Sequence, residues 1–456
     1  MGFLENVYDN SPIIVQNLMC TTKGYLQNKE RYGKEYWKYR DYYKRIDSLS
    51  KPELEKIQNK KLKELLYYAV SHSKFYAQLY KDVDISSINS VDDLKKLPIV
   101  DKELLRANIN SVMTISGAKA VIQHTGGTTG KSLTIRQTRD DSFQRMAILD
   151  NFKSRVGFEN LKMRRATFNG KHIVPPKQKK KVFWRYNASC KQMIYSSFHL
   201  TDENLGYYVE SLNRFKPQAI DGFFTSMCDV AGYIERKRIP LMFKPIAIFP
   251  TSETLTDSGR ELLERVFDCK VYNQYASSEG APFVTECPNQ TLHMELATGV
   301  FEHINNEDDE VLVTSFTSHG TPLIRYRIGD RMTFASDNTC SCGLCGTVVK
   351  EIQGRKLDFL YTPYGAKINA GNVSNILKNF PNVIIRAQFI QDTKDAIKVL
   401  LEVEEGKYSK RDEKLLINEI AHKFGKELKV SVKVVDKIKR EDSGKYRMII
   451  NRVDEI

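Results

Sequence analysis

Long apolar runs are missing from this 456-residue chain: none approaches the roughly 20 residues needed to cross a bilayer. The opening MGFLENVYDN lacks the basic-then-apolar layout of a secretory leader, and Asn6 stands where N-myristoylation requires Ser or Thr. A cytoplasmic location without a transmembrane segment is therefore expected. No internal repeat is present, which excludes a solenoid or propeller array, and low complexity is confined to one lysine cluster. That cluster, Lys177 to Lys181, follows Pro175-Pro176 and is the densest part of a formal net charge of +14. No DNA- or RNA-binding motif accompanies it, so no nucleic-acid partner is expected. It reads as a solvated loop, or as a contact for an anionic small molecule or an acidic membrane surface.

What is there describes a globular protein. With 41% hydrophobic and 28% charged residues, the chain is long enough for two or three domains with their own cores. The first hundred residues or so read as helical. KLKELLYYAVSHSKFYAQLY places Leu62, Leu65, Leu66, Ala69 and Val70 on one stripe. From 120 to about 350 strand-like and helical runs alternate, which predicts an α/β arrangement with a mostly parallel sheet. Past Arg355 the runs NVIIRAQFI, AIKVLLEVE, EKLLINEIAHKFG and VSVKVVDKI predict two strands, a helix and a strand. The expected boundary is 1–355 for a large N-terminal domain and 356–456 for a small α+β domain.

VIQHTGGTTGKSLTIRQT concentrates the chemistry-bearing residues of the first third. A Walker A loop needs a glycine at 125, where Thr125 stands, and it must feed a helix. Here Leu133 and Ile135 alternate with Thr134 and Arg136, so the loop joins strand to strand. It is either a plain hairpin or an inward-facing cradle. In the second case the freedom of Gly126, Gly127 and Gly130 aims N–H groups at an anion, with Lys131 adding charge. In parallel α/β sheets, ligands gather after the carboxyl ends of strands. Those places hold Thr251-Ser252-Glu253, Ala276-Ser277-Ser278-Glu279-Gly280 after Tyr275, and Asp330 after Gly329.

TGGTTGK, YASSEG, YRIGD, GRKLD and KREDSGKYR stand in the order and approximate spacing of the core motifs of the adenylate-forming superfamily of acyl-CoA synthetases. DGFFTSM and CSCG make the chain resemble the phenylacetate–CoA ligase branch, in particular its CapK-like members associated with capsular polysaccharide synthesis. The resemblance covers the chain from about 120 to its end. It implies an α/β fold whose large N-terminal domain has layered sheets and helices, with a small mobile C-terminal lid. It also implies that a small-molecule carboxylic acid attacks ATP to give an acyl-adenylate and pyrophosphate. The acyl group then passes to coenzyme A or, alternatively, directly to an amine or sugar. A non-catalytic relative that kept the fold is a further alternative.

In this resemblance Thr125, Gly126, Gly127, Thr128, Thr129, Gly130 and Lys131 wrap the β- and γ-phosphates, and Glu279 binds Mg2+. Tyr275 lies against the adenine within the Tyr275–Ala276–Ser277–Ser278 loop, and Ser252 and Glu253 join the nucleotide contacts. Asp330 accepts both ribose hydroxyls, with Arg355 assisting. Lys445 reaches the α-phosphate and carboxylate oxygens. His124 either bonds the substrate carboxylate or caps its strand, and Phe198, Phe223 and Phe224 line an acyl pocket or belong to the core. The hinge departs from the usual pattern, reading Lys356-Leu357-Asp358, with Asp358 as the expected pivot. The expected assembly is a monomer or homodimer.

Cys340, Cys342 and Cys345 fall within six residues, and ECPNQTLHMEL supplies Cys287 and His293. In a chain without a secretion signal such clustering favours a metal over disulfides. Tetrahedral zinc takes four soft or imidazole ligands. The resembled branch carries Cys-x-Cys-Gly here, which implies a structural Zn2+ on Cys287, His293, Cys340 and Cys342, with Cys345 as the alternative.

Overall fold

The computed structural model describes residues 3–124, 134–171, 173–175, 178, 180–305, 308–336, 340–355, 359–363, 367–369, 373, 376–377, 380, 383–440 and 446–453. The chain forms two compact units, each assembled from separated segments. One comprises Met1–Thr22, Leu161–Val271 and Gln353–Ile456; the other comprises Lys23–Asn160 and Tyr272–Ile352.

In the second unit the predicted stripe is core. Leu62, Leu65, Leu66 and Ala69 of the Lys51–His72 helix are essentially inaccessible, and Val70 packs beside them. Ser50 and Glu53 start this helix with a reciprocal capping box. The Lys34–Ile46 helix packs against the Arg139–Ser154 helix, with Tyr36 Oη donating to Asp150 at 2.8 Å. Val121–His124 and Thr134–Gln137 pair antiparallel, His124 opposite Thr134, so the glycine-rich segment joins strand to strand as expected.

The parallel sheet is shorter than the sequence suggested. From Tyr272 onward the unit carries a seven-stranded sheet whose described ladders are antiparallel. The reason is connectivity: antiparallel neighbours need only short turns, whereas each parallel neighbour needs a crossover. Gly299–Asn305 and Asp308–Ser315 are joined by such a hairpin.

The parallel sheet lies in the first unit, in the order Trp184–Asn187, Gln192–Ser196, Arg165–Asn169, Ala219–Phe223, Ala247–Thr251, Lys270–Val271. Only the Trp184–Asn187 edge is antiparallel. The helices Asp202–Phe215, Phe224–Lys237 and Asp257–Phe267 cover it. Gly222 is required where two strands meet: it has φ +124°, and a Cβ there would lie 1.8 Å from the Phe168 carbonyl oxygen.

The C-terminal part of this unit has a four-stranded sheet in the order Lys429–Val434, Ala396–Val403, Ile384–Thr393, Ile449–Asn451, with the Lys410–Phe424 helix against it. Three strands and the helix match the expectation. The last strand, too short for a periodic signal, was not anticipated; it pairs parallel to Ile384–Thr393. Among the described residues no helix is long and apolar enough to cross a membrane.

Candidate functional site

In the second unit the strand Gln274–Tyr275 leads into the loop that carries Glu279. Tyr275 Oη donates to Asp330 Oδ2 at 2.6 Å. Asp330 sits in the Tyr326–Phe334 strand directly after Gly329, whose φ of +80° turns the backbone at that point. Both Asp330 and Glu279 are buried carboxylates, and Ser278 Oγ donates to Glu279 Oε2 at 3.3 Å. The family resemblance implies one function for Tyr275, Glu279 and Asp330, and the fold joins the first and the last by a hydrogen bond.

The loop is held by a residue the sequence did not single out. Arg145, from the Arg139–Ser154 helix, donates to the carbonyl oxygens of Gly280 (3.0 Å), Ala281 (2.8 Å) and Ser277 (3.2 Å) and to Thr317 Oγ1 (2.9 Å). Its guanidinium lies over the Phe283 ring, 4.3 Å from the centroid. Burial pushes Arg145 down to about 10, with Asp141 among the groups pulling the other way. A buried fork of donors spanning three carbonyls fixes the loop's path and hence the position of Glu279. In the sequence Asp141 and Arg145 look like an exposed i, i+4 ion pair, so no local signal marked this role.

In the first unit the Ala247–Thr251 strand runs into Ser252, at φ +67°, and then Glu253. Both Thr225 groups converge on Glu253: the backbone N–H at 2.8 Å and Oγ1 at 3.0 Å. The Tyr446 N–H reaches its Oε1 at 3.4 Å. Burial pushes the Glu253 carboxyl up, and the Thr225 bonds and Arg440 oppose that. Phe223 and Phe224 are buried, Phe224 within the hydrophobic core, so the neighbouring Thr225 supplies the polar contact; Phe198 is half-buried in a short turn.

A second buried network joins the C-terminal sheet to the Phe224–Lys237 helix. Asp229 accepts from Arg440 at 2.8 Å and from Arg386, which also pairs with Glu402 at 2.9 Å. Arg440 Nη1 is 3.5 Å from Ser226 Oγ, and Arg236 pairs with Glu404 at 2.9 Å. Arg440 and Tyr446, the described residues on either side of positions 441–445, are thus each bonded to a carboxylate of this unit. Lys445 itself lies outside the described residues, as do Thr125 to Lys131 and Asp358. Of His124 and Arg355 only the backbone is described, each ending a strand.

The cysteine expectation meets the geometry directly. One ligand atom from each of Cys287, His293, Cys340 and Cys342 falls within 4.8 Å of the others. Cys287 follows the Val284–Glu286 strand and His293 lies in its antiparallel partner Leu292–Met294. Cys287 and Cys340 sulfurs are 3.7 Å apart, and Cys342 Sγ is 3.5 Å from His293 Nε2. Zinc at ~2.3 Å from sulfur and ~2.0 Å from nitrogen in a tetrahedron requires edges of about 3.8 and 3.5 Å, so the donor set fits that ion. His293 Nδ1 is 3.2 Å from the Gly346 carbonyl, which directs Nε2 towards the thiols. Cys345 stands outside the group and packs against the core.

Comparison with known proteins agrees with this architecture. A family model of the CapK C-terminal domain matches residues 360–452. The chain is 37% identical over 453 residues to Protein CapK of Staphylococcus aureus, covering 99% of this chain and 100% of that one. It is 22% identical over 462 residues to phenylacetate-coenzyme A ligase of Thermus thermophilus, covering 90% and 99% respectively. Among solved structures, 2-hydroxyisobutyryl-CoA ligase in the postadenylation state superposes with a TM-score of 0.71 at 16% identity, over 89% of this chain and 91% of that one.

Proposed function

Because the chain belongs to the CapK family and has the fold of the adenylate-forming CoA ligases, we propose that it is an AMP-forming acid ligase. The carboxylate of a small organic acid attacks the α-phosphorus of ATP. An acyl–O–P bond forms, the bond to the β-phosphate oxygen breaks, and pyrophosphate leaves with the electron pair. A nucleophile then attacks the acyl carbon and AMP departs. The observation that carries this reading is the Tyr275–Asp330 hydrogen bond beside a loop bearing a buried Glu279. An ordered carboxylate with an adjacent aromatic ring suits a ribose diol and a purine.

Two anions meet in the first step, so donors and positive charge must be in place beforehand. Asp330 takes the ribose hydroxyls and Tyr275 the adenine. Lys131 and the glycine-rich segment bind the β- and γ-phosphates, and Lys445 the α-phosphate. Glu279 would hold the Mg2+ that accompanies the triphosphate, an ion that would offset phosphate charge. Ser252, Ala276, Ser277 and Ser278 line the nucleotide, and Glu253 secures the backbone at Tyr446 beside Lys445. Residues 356–456 act as the lid, with Asp358 at its hinge. Cys287, His293, Cys340 and Cys342 would hold a structural zinc, tying the Val284–Met294 hairpin to the stretch before Val348 and, with four protein ligands, leaving no position for a reacting water.

Coenzyme A is the proposed acceptor, as in the names of the ligases it resembles. A second reading passes the acyl group to an amine or sugar. Acid-dependent exchange of labelled pyrophosphate into ATP, across a panel of aryl, aliphatic and amino acids, tests the first step before any acceptor is chosen. Formation of ADP and phosphate in place of AMP and pyrophosphate would remove the reading.

A further inference from the structure

A cavity of about 460 Å3 opens in the Lys23–Asn160 and Tyr272–Ile352 unit, and none of the residues assigned above lines it. Its volume is in the roughly 300–1,000 Å3 range of small-molecule sites. Tyr39, Tyr42 and Phe316 give it aromatic walls, and Lys61, His319 and Gln144 bring polar groups to it.

Lys61 is held unusually for a lysine. Its Nζ donates to the Ala297 carbonyl at 2.9 Å and lies 5.1 and 5.7 Å from the ring centroids of Tyr42 and Tyr43. An ammonium carries three N–H donors, and burying donors without acceptors is unfavourable. Burial accordingly pushes Lys61 down to about 8, against the pull of Glu64 and Asp140. His319 is fixed through Nδ1, 2.7 Å from the fully buried Asp141. Burial opposes its protonation, but the Asp141 carboxylate prevails and raises the imidazole above its ordinary value. The charge of Lys61 acts on His319 unfavourably, so one bound anion would relieve both groups, whereas a cation would add to the repulsion. Glu35, Lys38 and Glu64 line the same cavity, but all three are exposed and of mixed sign, so solvent screens them.

We propose that this cavity is a second ligand site for a small aromatic carboxylate, with the carboxylate held by Lys61 and His319 and the ring against Tyr39, Tyr42 and Phe316. Two of its lining residues adjoin the support of the Glu279 loop. Gln144 precedes Arg145, and Phe316 precedes Thr317, the hydroxyl to which Arg145 donates.

The test uses the full chain with 4-fluorobenzoate and its neutral counterpart 4-fluorobenzyl alcohol, followed by fluorine NMR, and photolabelling with 4-azidobenzoate. The label should be recovered on peptides bearing Tyr39–Tyr42 or Phe316 and be displaced by 4-fluorobenzoate. The acid should bind about tenfold more tightly than the alcohol, and about tenfold more weakly to Lys61→Met, with Lys61→Arg retaining most of the affinity. In the wild type, acid affinity should fall about tenfold from pH 7 to pH 9 as Lys61 loses its proton. Tyr39, Tyr42 and Tyr43 are pushed up by burial and stay neutral over that range, Glu64 and Asp140 act on Lys61, Glu35 and Lys38 line the same cavity, and proton loss from His319, raised by Asp141, would weaken acid binding in the same direction. If Lys61→Met does not fold, the wild-type pH series decides. Equal affinity for acid and alcohol, a flat pH series, or label confined to peptides of Phe198, Phe223 or Phe224 would overturn the proposal. Pyrophosphate exchange is read separately, so failure here leaves the ligase reading standing.

Discussion

Asp229→Asn tests how the C-terminal sheet is held. Asp229 is buried and accepts from two buried arginines, Arg386 and Arg440. Breaking a buried pair by removing one charge usually costs about 3–5 kcal/mol. The lower end applies here, because Arg386 keeps Glu402 at 2.9 Å. About 3 kcal/mol corresponds to roughly 150-fold in the equilibrium between docked and released sheet. The Tyr446 amide reports that equilibrium, since its acceptor, Glu253, lies at the end of the parallel-sheet strand Ala247–Thr251. Its hydrogen exchange should accelerate by about that factor in Asp229→Asn, and by less in Asp229→Glu, which keeps the charge. Pyrophosphate exchange should fall as well, because Lys445 adjoins Tyr446. A folded Asp229→Asn protein whose Tyr446 amide exchanges within about threefold of the wild-type rate would refute the reasoning.

Glu279→Gln should weaken use of Mg·ATP while nearly preserving shape, and unchanged activity across a magnesium titration would place the ligand elsewhere. Elemental analysis after metal-free purification should find about one zinc per chain, reduced in Cys340→Ser; a freshly purified wild type with almost none would reject the site. Lys445→Ala should lose adenylate formation by a large factor, yet still transfer the acyl group from pre-formed acyl-adenylate to coenzyme A or an amine. Equal loss in both assays would make Lys445 structural.

Local pattern carried part of this fold. The Leu62–Ala69 stripe became core because helical spacing alone puts those positions on one face. The strand-to-strand path around the glycines was visible in the alternation at Leu133–Arg136. The cysteine–histidine cluster was legible because its four positions sit in two short stretches, Cys340-x-Cys342 and the hairpin that brings His293 back to Cys287. The antiparallel sheet after Tyr272 was not legible. Four of its strands span seven to nine residues, yet a strand pattern marks a strand without revealing the direction of its partners.

The residues that hold the site in place were hidden for another reason. Arg145, Asp229 and Arg386 are charged positions in ordinary helix and strand patterns, and a sequence reads such positions as solvent-facing by default. Their partners are distant: Arg145 meets carbonyls more than 130 positions away, and Asp229 meets an arginine 211 positions away. A backbone carbonyl has no side-chain identity, so Arg145 has no partner residue type that a sequence pattern could pair with it. The aromatic residues left two readings open in the sequence, pocket wall or core. Phe224 packs in the hydrophobic core, while Thr225 beside it makes the polar contact to Glu253. The difference lies in which side of the Phe224–Lys237 helix start faces the Ala247–Thr251 strand end, and that is decided only when the parallel strands come into register, Phe223 opposite Thr251.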